Sequence, residues 1–115
     1  MRVMVREIVK GLGIIPEEWQ HLHDTISPIL ARGEEVELDF EGSDAVCTPL
    51  LRTALGPLLK DHPLERVKSL LSVQNLDDLY RRTLDTVLEQ SSRYYNDPRY
   101  REVVDGAYAR LFEDQ

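Results

Sequence analysis

Cysteine is nearly absent from this chain of 115 residues: Cys47 stands alone, so no internal disulfide can form. No apolar run approaches the roughly 20 residues needed to cross a bilayer. The first residues, Met1-Arg2-Val3-Met4-Val5-Arg6-Glu7, carry charges inside their apolar stretch and do not read as a secretory signal. These absences point to a reducing, cytoplasmic setting. Basic residues are outnumbered: 14 Lys and Arg stand against 21 Asp and Glu, for a formal charge of -7. That balance argues against a nucleic-acid backbone or an anionic membrane as the main ligand, because both need clustered cations. A basic protein partner and ordinary solubility are both compatible with it.

Reactive constellations are scarce as well. Gly11-Leu12-Gly13 lacks the third glycine and the Lys-Ser/Thr ending of a phosphate loop, and no Cys-x-x-Cys occurs. His21 and His23 lie two apart on a predicted helix, so they point about 200° apart and cannot share a metal. The acidic pairs Glu17-Glu18 and Asp77-Asp78 fall in first helical turns, where capping and the helix dipole account for them. Cys47 precedes a helix N-terminus, which lowers a thiol pKa, but no histidine neighbours it in sequence. The expectation is a non-enzymatic chain with no cofactor and no metal.

What is present is an alternation of two periodicities. Residues 2–9 read as a strand, with Val3 and Val5 on one face and Arg2, Met4 and Arg6 on the other. Pro16 opens a helix whose stripe is Trp19, Leu22, Ile26, Ile29 and Leu30. Pro28 is expected to kink or end its last turn, and Arg32-Gly33 to stop it. Residues 35–41 form the clearest strand: Val36, Leu38 and Phe40 face one way, and Glu35, Glu37, Asp39 and Glu41 the other. Thr48-Pro49 then reads as a cap followed by a first-turn proline, opening a helix to about Lys60. Residues 66–73 are predicted as a third strand, although Ser69 and Leu70 break its register. Asn75 is expected to cap a long helix, with Asp78 in a capping-box position. Asp97-Pro98 opens a last helix, 98–112, carrying Tyr100, Val103, Val104, Ala107, Tyr108, Leu111 and Phe112 in register.

The order β-α-β-α-β-α-α implies right-handed crossovers and a small, mostly parallel sheet. A strand wet on one side, as 35–41 is, implies helices mainly on one face. The acidic outer face of 35–41 is expected to lie between the basic outer faces of 2–9 and 66–73, which makes it the central strand.

The loop from Gly42 to Thr48 joins a strand end to a helix N-terminus, where α/β domains place their sites. A phosphate on Ser43 or Thr48 would add about -1.5 to -2 of charge there. As a plain cap, Thr48 would contribute about 1 kcal/mol.

The run Val36-Glu37-Leu38-Asp39-Phe40-Glu41-Gly42, a short loop, then Thr48-Pro49-Leu50-Leu51 and Leu55-Gly56-Pro57-Leu58 resembles the STAS-like domain family. These are small bacterial domains related to the anti-sigma-factor antagonists. The helix starting at Glu17-Glu18 and the segment Val67 to Leu76 share the resemblance, which covers residues 1–95. It implies a two-layer STAS-like domain, with residues 96–115 as a C-terminal helical extension packed on it. It also implies a regulatory module that binds a histidine-kinase-like ATPase and is phosphorylated at the start of the helix after this strand, on or beside Thr48. Cys47 stands where the antagonists carry an Asp, and Val46-Cys47-Thr48-Pro49 where the STAS-like branch shows serines.

The expected partner-contact and phosphorylation candidates are therefore Ser43, Asp44, Cys47, Thr48, Arg52 and Thr53. Three alternatives stay open: a small-ligand or nucleotide sensor using the same helix N-terminus, an enzyme using Cys47, and a homodimer or partner groove formed by the last helix.

Overall fold

The computed structural model describes residues 1–43 and 48–113, with side chains described for 1–43 and 51–111. Three parallel strands, β1 (Arg2–Met4), β2 (Val36–Asp39) and β3 (Leu71–Gln74), form one sheet in that spatial order, so β2 is central. Arg2 pairs with Glu37 and Val36 with Leu71. One face of the sheet is apolar and buried, with Val3, Val36, Leu38 and Leu71 in the core. On the opposite face Arg2, Ser72 and Gln74 are exposed and Met4 and Glu37 half-buried. This is the one-sided α/β sheet that the alternation in residues 35–41 implied.

The first strand is shorter than its alternation suggests. After Met4 the chain turns through α1 (Val5–Ile8), a single helical turn closed by the Val9 N–H donating to the Val5 carbonyl at 2.8 Å. Val5 and Val9 are both buried, and a spacing of four places both on one helical side. Continuing as a strand would have sent them along the sheet edge instead.

In α2 (Pro16–Ala31), Trp19, Leu22, Ile26, Ile29 and Leu30 are buried as the stripe required. The Trp19 indole donates to the Gly13 carbonyl at 2.8 Å, fastening the preceding loop to the helix. Pro28 does not end the helix. It and Asp24, whose carbonyl loses its usual donor, are both on the exposed side, within reach of water. The end comes at Gly33, with φ +77°. The Gly33 N–H donates to Leu30 and the Glu34 N–H to Ile29, a Schellman pair that the left-handed glycine allows.

The region between β2 and β3 departs most from expectation. One helix to Lys60 is replaced by α3 (Thr48–Leu55) and α4 (Leu58–Asp61), separated by Gly56-Pro57. A side chain at Gly56 would meet the Arg52 carbonyl at 2.5 Å and the Ser91 hydroxyl at 2.9 Å, so glycine is what allows this close approach. The strand expected at 66–73 is mostly helix: α5 covers Leu64–Leu70, and β3 begins only at Leu71. Leu64, Val67 and Leu70/Leu71 recur at helical spacing, with Val67 buried and Leu64 and Leu70 against the core. This pattern also explains the broken strand register at Ser69 and Leu70. Arg66 and Lys68 are therefore helical, and the third strand presents no basic outer face. The central place of β2 holds without it.

The last two helices, α6 (Asp78–Asn96) and α7 (Pro98–Glu113), are joined through Asp97. Asp77, not Asn75, caps α6, accepting from the Leu79 N–H at 3.3 Å. Asp97 caps α7 as expected, accepting from the N–H groups of Arg99 and Tyr100 at 3.1 Å. Leu84, Val87, Leu88 and Ser91 of α6 are buried, while Leu79 and Tyr80 are exposed.

Candidate binding site

The carboxyl ends of the strands meet at Asp39. By parity this residue belongs to the outer, polar face of β2, and its exposure was expected. It is instead fully buried. One oxygen, Oδ1, accepts from the Asn75 side-chain amide at 2.8 Å and from the Glu41 N–H at 2.9 Å. The other, Oδ2, accepts from Arg2, with Nε at 2.9 Å and a second bond from Nη2. These bonds favour the carboxylate, that from Asn75 most, and hold its pKa down at about 2.

Each donor comes from a different part of the fold. Arg2 belongs to β1, Glu41 to the turn after β2, and Asn75 to the residue just beyond β3. Asn75 adopts φ +57°, a left-handed conformation that asparagine tolerates better than most residues. That conformation accompanies the use of its amide on Asp39 rather than on the helix that follows. The Arg2–Asp39 pair gives the predicted attraction between basic and acidic outer faces a concrete form. The Asn75 bond had no sequence signal beyond the residue type.

The turn that leaves this corner is held too. The Ser43 N–H donates to the Phe40 carbonyl at 3.0 Å, and Gly42 has φ +71°. A side chain at Gly42 would lie 2.8 Å from Nη1 of Arg6, so the guanidinium lies directly over the glycine. Among the predicted contact residues, Ser43 is half-buried at the end of this turn. Asp44 and Cys47 lie outside the described residues, as does the side chain of Thr48. The backbone of α3 does begin at Thr48, within a residue of the expected start.

Arg52 and Thr53 are exposed on α3, and here the structure adds a feature that sequence reasoning missed. Both line a cleft of about 380 Å³ whose far wall is α7. Gln90, Tyr94 and Tyr95 of α6 contribute to it, with Asp105 and Tyr108 of α7. Arg52 donates to Gln90 Oε1 at 2.8 Å, and the Tyr94 hydroxyl donates to Asp105 at 2.8 Å. Donation to that carboxylate raises the Tyr94 pKa above its ordinary value. The only hint in the sequence was the cluster of tyrosines around the joint between the last two helices.

No three His, Cys, Asp or Glu side chains among the described residues are placed to hold one metal ion. Nor is any described helix long and apolar enough to cross a membrane.

A three-stranded parallel sheet in a mixed α/β chain, with its polar face opposite a buried apolar one, is consistent with a STAS-like α/β domain. The chain belongs to the family described as STAS-like domain of unknown function (DUF4325), which it matches over residues 20–81. The match runs from α2 through the first residues of α6, so it contains the β2 corner and α3; β1 and α7 lie outside it. No curated protein and no solved structure matches the chain.

Proposed function

We propose that this domain is a non-enzymatic regulatory module that binds a protein partner through the turn after β2 and the exposed side of α3. The observation that carries this reading is the junction itself. Asp39, the last residue of β2, is bonded by Arg2 at the start of β1, by the Glu41 N–H and by Asn75 just beyond β3; the turn leaving it carries Ser43, and α3 begins at Thr48, with Arg52 and Thr53 exposed. A rigid scaffold presenting a polar junction at the carboxyl edge of a sheet suits recognition. The family resemblance adds the class of partner, a histidine-kinase-like ATPase of the anti-sigma-factor type, and a phosphorylation switch on or beside Thr48. A phosphate there would change the charge of the docking surface by about -1.5 to -2.

The test is co-purification with such an ATPase from the same source, followed by binding measurements on purified components. The wild type is expected to form a complex. A folded Arg52→Glu/Thr53→Glu variant should lose at least tenfold in affinity, and Thr48→Glu should weaken binding similarly. Unchanged affinity in all variants would overturn the docking surface. A rise in melting temperature with ATP or GTP alone would instead favour ligand sensing at the same helix.

A further inference from the structure

The cleft between α3, α6 and α7, which shares Arg52 with the docking surface, combines three features. The first is a separated pair of opposite charges. Arg52 is held by Gln90, and Asp105 by Tyr94. Gln90 and Tyr94 stand four residues apart on α6, so both anchors rise from one face of the helix, with Cβ atoms about 5–6 Å apart. Among the described ion pairs, none joins Arg52 to Asp105. Each charge retains capacity for a ligand. The bond to Gln90 uses one of the five N–H donors of the guanidinium, and that from Tyr94 uses one oxygen of the carboxylate.

The second feature is aromatic surface. Four of the five tyrosines of the chain line this cleft. Two have a face taken by an arginine: Arg101 stands 5.7 Å from the Tyr94 ring centroid, and Arg93 4.3 Å from that of Tyr100. Tyr95 meets Tyr94 edge-on at 5.2 Å, and Tyr108 is 58% exposed. Tyr95 also packs against the core, so Tyr108 is the tyrosine that offers ring surface to an occupant. The third feature is size. About 380 Å³ lies at the small end of ligand sites, which favours a compact molecule over a nucleotide.

We propose that this cleft binds a free aromatic α-amino acid, its carboxylate on Arg52, its ammonium on Asp105 and its ring against Tyr108. Both charges are satisfied by one small zwitterion, and the ring covers aromatic surface that packing leaves open.

The inference is independent of the partner reading, because its test uses the isolated chain. Titration of the 15N-labelled protein with L-tryptophan should give saturable shifts at Thr53, Gln90 and Tyr108. Tryptamine lacks the carboxylate, N-acetyl-L-tryptophan lacks the ammonium, and L-alanine lacks the ring. Each should bind at least tenfold more weakly. Arg52→Gln should remove the preference for tryptophan over tryptamine, and Asp105→Asn the preference over the N-acetyl compound. Both side chains are exposed, so unchanged spectra of the free variants would confirm that the fold is kept. No saturable shift, shifts confined to another region, or equal affinity for all four compounds would overturn the proposal.

Discussion

The corner at Asp39 and the helix α7 are held in opposite ways. At the corner, a fully buried carboxylate gathers donors from three separate segments, with Leu38 and Phe40 packed into the core beside it. Along α7 none of the residues 98–111 is buried; Val103 and Leu111 are 62% and 65% exposed. What holds α7 is largely polar: the Asp97 cap, the Tyr94–Asp105 bond, and Arg101 donating to the carbonyls of Tyr94 and Tyr95 at 3.0 and 2.8 Å. Apolar burial and satisfied buried charges make a region open only with global unfolding, whereas exposed polar contacts allow local opening. The difference teaches that this fold separates a buried, fully bonded corner from a lightly held wall, which shares a cleft with α3.

The largest effect that would sharpen this contrast comes from the core. Leu38→Ala removes a fully buried side chain from the central strand and should cost about 2–5 kcal/mol, measured by urea denaturation. A loss below about 1 kcal/mol would show that the corner is less tightly packed than its burial indicates.

Next comes the acid limb. The native pKa of Asp39, about 2, lies below its unfolded value of about 3.9. Its contribution to stability is therefore complete above the unfolded value and drains away as pH falls from about 4 through about 2. Wild-type urea midpoints should drop across that window, and Asp39→Asn should flatten the drop by the share this residue carries. Identical pH slopes in the two proteins would remove Asp39 as a source of acid sensitivity.

The smallest effect belongs to α7. Leu111→Ala should change global stability by less than about 0.5 kcal/mol, as for other exposed positions. Amide exchange should be faster along residues 100–111 than along 36–39. Equal protection in the two segments would erase the distinction drawn between them.

Much of this architecture could be read from particular residues. Val36, Leu38 and Phe40 alternating with acids announced a strand wet on one side. Pro16, Gly33 and the Asp97-Pro98 step marked helix boundaries by backbone chemistry alone. The reading failed where two periodicities overlap in a short stretch. Residues 2–9 alternate for only a few positions before Val5 and Val9 take helical spacing. Residues 64–74 carry both a helix of seven residues and a strand of four. In such short windows tertiary packing chooses between patterns that local propensity leaves close in energy. The candidate site divided similarly. Arg52 and Thr53 were legible as the outer side of a helix, but the cleft they line was not, because its other wall comes from residues some 50 positions later.

The sequence by itself determined that the sheet is parallel and one-sided, because side-chain alternation and crossover connections are local or nearly local constraints; β2 is central as expected, but of the two basic neighbours that suggested it only Arg2 is in a strand. Only the tertiary structure decided that Asp39, by pattern an exposed acid, is a buried hub, and that Arg52 and Asp105 line one tyrosine-rich cleft. The bonds of Asp39, and those of Arg52 to Gln90 and of Tyr94 to Asp105, depend on which distant partners the folded chain brings within about 3 Å, and hydrogen-bond geometry acts only at that range.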